Sequence, residues 1–443
     1  MPRAGSDRRD FLVAGSTAAI AGSVASAADR PAVSNPRATS GDVAAEPNWT
    51  ERLTLDIGNS QGTIVGSDDR AIQAAVDYVA RLGGGTVRLS KGTWRLRNAV
   101  FLSSGVRLLG AGPETVLVKD SMSKTRLVAD SDWFDQEITL ADPSGFRVGD
   151  GVCLRCRNPH NGGATVIKRT LVARSGSRFK LDKPLRENLW LMSDATAATL
   201  FPLVTAEFAH GMAIENLTLD GNRANNDNLD GNYAGCVFMQ DCRDVSIRGV
   251  VARDNNGDGI SWQICHDVSV ADCQSVGNAG LGLHPGSGSQ RPVIRGNTLA
   301  RNDIGLFFCW GVRHGLAEGN TIEDNRVGVS IGHRDTENLV AENTIRRSGK
   351  CGVLFRAERG KAFAGHRNEL RGNSIIDSGG VDGVAVDVEG QTSDLRFIGN
   401  TLRETRAPAS RVGFRFAAGT GTMTLADNTV TGFSREVVDQ RPR

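Results

Sequence analysis

The sequence is poor in aromatic residues, which make up 5% of its 443 positions and include only two tyrosines. A tyrosine acid or base therefore has just Tyr78 and Tyr233 as candidates. Lysine is scarce too, confined to positions 91, 119, 124, 168, 180, 183, 350 and 361. The formal net charge is only +2, which excludes a polybasic nucleic-acid binder. No apolar run is long enough to cross a bilayer. The eight cysteines lack regular metal-ligand spacing and read as small buried hydrophobes. Cys153 and Cys156 sit three apart in a strand-like stretch, which puts their sulfurs on opposite faces and argues against a redox or zinc pair.

What is present suits a large folded core, with 39% hydrophobic and 23% charged residues. Glycine is abundant, at 53 residues, without a collagen period. Such numbers imply many tight turns joined by short strands. Near the start, Ser6-Asp7-Arg8-Arg9-Asp10-Phe11-Leu12 precedes a mildly apolar stretch that ends in Ala25-Ser26-Ala27, a small-residue cleavage site. The Arg-Arg-x-Phe-Leu core resembles a twin-arginine export signal. That resemblance implies residues 1–27 as a signal peptide, transport of an already folded chain, and a periplasmic or extracellular protein with no stable membrane insertion after cleavage. Residues 28–50 read as a linker.

From about residue 213 the chain repeats one pattern. Asn297-Thr298-Leu299, Asn320-Thr321-Ile322 and Asn343-Thr344-Ile345 are spaced by 23. Asn373, Asn400 and Asn428 continue the column at intervals of 27 to 30, as expected where surface turns have grown. Cys273 and Val250 extend it upstream. A period in the low twenties suits a leucine-rich repeat or a β-helix coil. The Leu-x-x-Leu-x-Leu signature is missing, and β-branched strands with Asn at turns favour the β-helix. Stacked coils lie ~4.8 Å apart, so the Asn column is expected to form a structural ladder rather than a catalytic group.

The second half of each coil begins Gly-apolar-x-apolar, and the first and third residues after Gly face inward. One outward column is then Ser261, Gly282, Phe307, Ser330, Leu354 and Ala385. The next is Gln263, His284, Cys309, Gly332, Arg356 and Asp387.

The stretches Asp68-Asp69-Arg70-Ala71-Ile72-Gln73-Ala74-Ala75-Val76-Asp77, Gly83-Gly84-Gly85-Thr86-Val87-Arg88-Leu89, Lys91-Gly92-Thr93-Trp94 and Leu108-Leu109-Gly110-Ala111-Gly112 resemble the N-terminal region of the pectate lyase-like superfamily, of the rhamnogalacturonase/epimerase type. The resemblance implies an all-β, right-handed parallel β-helix solenoid over residues 51–432, with an N-terminal capping helix. Ala71 to Leu82 has the apolar spacing for that helix. Residues 130–205 interrupt the repeat as a small β insertion, residues 222–232 form a long polar turn or lid, and 433–443 read as a C-terminal tail.

Such a fold hosts many chemistries, and the resemblance implies a polysaccharide partner. Histidines at 266, 284, 314 and 333 fall on successive coils. His284, His333, Arg334, Asp335 and Arg356 are the catalytic candidates, with Gln263, Trp310, Arg313, Glu358 and Asp387 for substrate binding. Trp310 offers a sugar-stacking face, whereas Trp262 points inward. Lyases and C5-epimerases need a cation for the uronate carboxylate and groups to move the C5 proton. Arg334 or Arg356 fits the first role and His333 or His284 the second, with Asp335 orienting a histidine. Polygalacturonase-like hydrolases resemble this chain at Asn256-Gly257-Asp258, but Asn278-Ala279 stands where their Asp pair is due. β-Elimination or epimerisation is thus expected ahead of inverting hydrolysis, and a non-catalytic glycan binder is the other alternative. No cofactor is required. Calcium is compatible, although no calcium loop calls for it.

Overall fold

The computed structural model describes residues 46–158, 160–407 and 410–442. The expected signal peptide and most of the linker lie outside these residues. Residues 46–50, expected as linker, are instead docked on the fold. Glu46 accepts two hydrogen bonds from Arg248, each 2.7 Å, and one from Trp49 Nε1.

The chain winds into a right-handed parallel β-helix whose coils stack three long sheets of thirteen, eleven and eleven strands. Strands His266–Ala271 and Thr298–Ala300 belong to the first and second of these, and Leu281–Gly286 to the third, hereafter the cleft sheet. Each coil returns the same apolar side chains to the interior, so Trp94, Trp262, Phe308, Phe355 and Phe397 are wholly buried in one continuous core. The helix Asp69–Arg81 closes the first end. Its N-cap Asp68 accepts from Ala71 N, and Ile72, Ala75, Val76 and Val79 cover the coil interior. At the other end, strand Arg435–Asp439 pairs in parallel with Val412–Phe416. The repeat therefore runs past residue 432, because what reads as a tail supplies one more rung. No helix among the described residues is long and apolar enough to cross a membrane.

The asparagine column forms a continuous ladder. Asn320 Oδ1 accepts from both the backbone N–H and Nδ2 of Asn297, each at 2.9 Å, while its own Nδ2 donates to Ile294 O and Asn343 Oδ1. The pattern repeats through Asn343, Asn373, Asn400 and Asn428. A second ladder runs through Asn278, Asn302 and Asn325. Both satisfy turn backbone groups that the solenoid buries.

The insertion is a six-stranded antiparallel sheet between Lys124–Arg126 and Thr196–Ala198. It starts a few residues before the expected boundary and has its own core around Phe146, Leu154, Leu171 and Phe179. Cys153 and Cys156 enter different clusters on opposite faces of their strand.

Candidate active site

Strand register decides which side chains meet on the cleft sheet. Ser261 pairs with His284, Phe307 pairs with Ser330, and Ser330 pairs with Leu354, which pairs with Asp387. His284 and Asp387 therefore stand in the column of Ser261, two residues away from the column expected for them. The coil glycine equivalent to Gly259 is Gly282, not Gly280. A slip of two preserves the face and changes only the column. His266 and His314 lie off the cleft sheet, since His266 opens a strand of the first sheet and His314 sits in a turn with φ of 55°.

A cleft of about 490 Å³ opens on this sheet, lined by Asp230, Gly231 and Asn232 on one side, by Asp258, His284 and Phe307 along the floor, and by Trp310 and His333 opposite. Its floor holds a buried pair. His284 Nδ1 lies 2.8 Å from Asp258 Oδ2, with both side chains nearly inaccessible. Asp258 Oδ1 accepts from Leu281 N, so this carboxylate is held from two directions. Because the carboxylate accepts, the Nδ1 proton belongs to His284, and in the neutral ring this tautomer leaves the lone pair on Nε2. Nε2 has no hydrogen-bond partner, and the ring packs edge-on against Phe307 with centroids 5.3 Å apart. Asp258 was visible in Asn256-Gly257-Asp258 but is absent from the expected site. The contact depends on a turn whose shape the sequence does not show.

Across the cleft, the His333 ring stacks on Trp310 with centroids 4.0 Å apart and planes 23° from parallel. One face of Trp310 is thus covered by imidazole. Trp310, His333 and Arg334 all have left-handed backbone, with φ of 71°, 49° and 67°, a conformation that costs bulky residues energy and needs a reinforced turn. Asp335 supplies the reinforcement. Fully buried, it accepts from Gly311 N and Val312 N at 2.9 Å and from Gly332 N at 3.0 Å, tying both turns together. Burial pushes its carboxyl up to about 6, against the pull of Arg356 and these amides. Asp335 thus orients backbone rather than a histidine ring.

Glu358 holds His333 through the backbone N–H at 2.9 Å and faces its Nδ1 at 3.4 Å. Burial lowers the His333 pKa below its ordinary value, and Glu358 opposes that shift. Arg359 Nη2 lies 3.1 Å from His333 Nε2, with its guanidinium over Trp310.

Arg356 is already engaged. It donates to Ser330 Oγ at 2.8 Å and Phe308 O at 2.9 Å, sits 3.4 Å from Asp335 and Glu358, and covers the Phe307 ring. Arg334 lies over Phe363. Gln263 is buried and donates to Ser261 Oγ. Asp387 is paired with Arg415, and neither it nor Arg313 lines the cleft. Among the described residues no three His, Cys, Asp or Glu side chains are grouped as a metal site.

The family model for a right handed beta helix region matches residues 235–402. No curated protein matches the chain. Among solved structures, the A-module of mannuronan C-5 epimerase AlgE4 from Azotobacter vinelandii is similar at 18% identity and a TM-score of 0.56, covering 88% of this chain and 99% of that one. The AlgE6 A-module from the same organism is similar at 19% identity and a TM-score of 0.52, covering 85% and 96%. ORF18 of Geobacillus virus E2 gives 11% and 0.52, covering 87% and 62%. At these identities the likeness establishes the right-handed parallel β-helix and nothing finer.

Proposed function

We propose that the protein acts on a uronic-acid polysaccharide by removing the proton at C5, next to the carboxylate, and so carries out β-elimination or C5-epimerisation. The buried Asp258–His284 pair carries this reading. An imidazole whose Nδ1 is fixed by a carboxylate and whose Nε2 is unpartnered has the orientation a general base needs. The electron pair left at C5 spreads onto the carboxylate, for which Arg359, exposed beside His333 and Trp310, is the candidate cation. For elimination the C5–H and C4–O4 bonds break, the C4–C5 double bond forms, and a proton goes to the departing oxygen. In epimerisation a proton instead returns to C5 from the opposite face. His333 stands across the cleft for that second transfer.

Retaining or inverting hydrolysis needs two carboxyl groups around the bond. Asp258 is committed to His284 and Leu281 N, which leaves Asp230 alone among the lining carboxylates. The fold shared with mannuronan C-5 epimerase modules agrees with proton transfer at C5 without requiring it. The twin-arginine-like start supports a working place outside the cytoplasm.

Incubation with polymannuronate and polygalacturonate in deuterium oxide tests the reading. Rising absorbance of an unsaturated uronate identifies elimination, and C5 deuteration without it identifies epimerisation. Neither signal on either polymer overturns the proposal in favour of a binder.

A further inference from the structure

The cleft does not run the length of its sheet. Its outward column passes from Phe238 to Ser261 to His284 at successive coils, ~4.8 Å apart. The two positions before His284 are both covered. Phe238 is wholly buried beneath the Lys168 ammonium of the insertion, 4.0 Å from the ring centroid, and Ser261 donates to Gly231 O at 2.6 Å. Gly231 passes so close to the buried pair that a Cβ on it would lie 1.7 Å from Asp258 Oδ2. The cover is firmly attached: Leu229 and Ala234 share an apolar cluster with Cys153 and Ala198 of the insertion and with Leu200 just beyond it. Arg155 donates to Asn228 O at 2.5 Å, and Lys124 pairs with Asp227 at 2.8 Å. On the cleft side the segment presents exposed Asn228, Asp230 and Asn232.

We propose that segment 228–232 is the end wall of the cleft and that the protein takes its glycan by one chain terminus, seating the terminal sugar over Asp258 and His284. This rests on the reading of the cleft as a uronate-glycan site. A chain following the helix axis meets the wall at Gly231 and goes no further toward the N-terminal coils. The wall offers amide and carboxylate groups suited to terminal hydroxyls, and its packing on the insertion makes it a fixed boundary rather than a lid.

The test is calorimetric titration of a length series of oligomannuronates and oligogalacturonates into full-length wild-type and His284→Gln protein. Each oligomer is supplied unmodified, reduced at its reducing end with borohydride, or 4,5-unsaturated at its non-reducing end. Affinity is expected to stop rising once the cleft is filled, with at least one end modification weakening binding about tenfold or more. Arg155→Ala, which unhooks the wall at Asn228, is expected to reduce that discrimination. Affinity that keeps rising with length while both end modifications are silent overturns the end wall and leaves the uronate reading standing. No binding of any oligomer to either protein overturns both.

Discussion

Asp258 and His284 lie 26 positions apart in sequence yet share a hydrogen bond of 2.8 Å, closed by the step from one coil to the next. If this pair is the base, His284→Gln abolishes turnover and Asp258→Asn lowers it by about 10²- to 10⁴-fold. Circular dichroism and thermal midpoints should stay near wild type. Undiminished kcat/KM in both variants would remove the pair from the mechanism.

His333 should titrate below its ordinary range, because burial disfavours the imidazolium while Glu358 only partly offsets the cost. Glu358→Gln removes the offsetting charge and is expected to move the titration lower still. Imidazole chemical shifts followed against pH read this directly. An upward shift in Glu358→Gln would contradict the geometry.

Asp335 gives stability a distinct dependence on pH. Its folded pKa of about 6 lies above its unfolded value, so only the unfolded chain ionises between about pH 4 and 6. Its contribution is therefore greatest below about pH 4 and is lost as pH rises through 6, on the order of 3 kcal/mol in all. In Asp335→Asn nothing titrates there. Urea unfolding across this range should show wild type losing stability relative to the variant as pH rises, and parallel curves would exclude the effect.

Within the ladder, Asn320→Ala leaves the buried Asn297 N–H without its acceptor, at a cost of about 1–3 kcal/mol. Asn428→Ala, at the partly exposed last rung, should cost less. Equal shifts in the urea midpoint at constant m would show that the rungs do not act through burial.

The ladder was legible because its spacing of 23 recurs with the same residue at the same turn. Column assignment on the cleft sheet was not. Gly280-Leu281-Gly282-Leu283 satisfies the pattern at either glycine, and a strand with period two reads identically after a shift of two. That ambiguity separated His284 from Ser261 and hid its approach to Asp258. The same limit applied to Asp387, where a lengthened turn before Val384 moved the register. The Trp310–His333 stack was hidden for another reason, since it depends on left-handed backbone at both residues, which no local preference of Trp or His announces.

Among the described residues the two ends of the solenoid differ: a helix seals the first coil, while the last strands, Met423–Ala426, Thr429–Thr431 and Arg435–Asp439, are mostly exposed. Since each coil is supported mainly by its neighbours, thermal melting has a direction. It is expected to begin at the less buried last strands described and to peel rung by rung toward the insertion, reaching the coils of Asp258 and His284 only after those of Asp387 and Arg415.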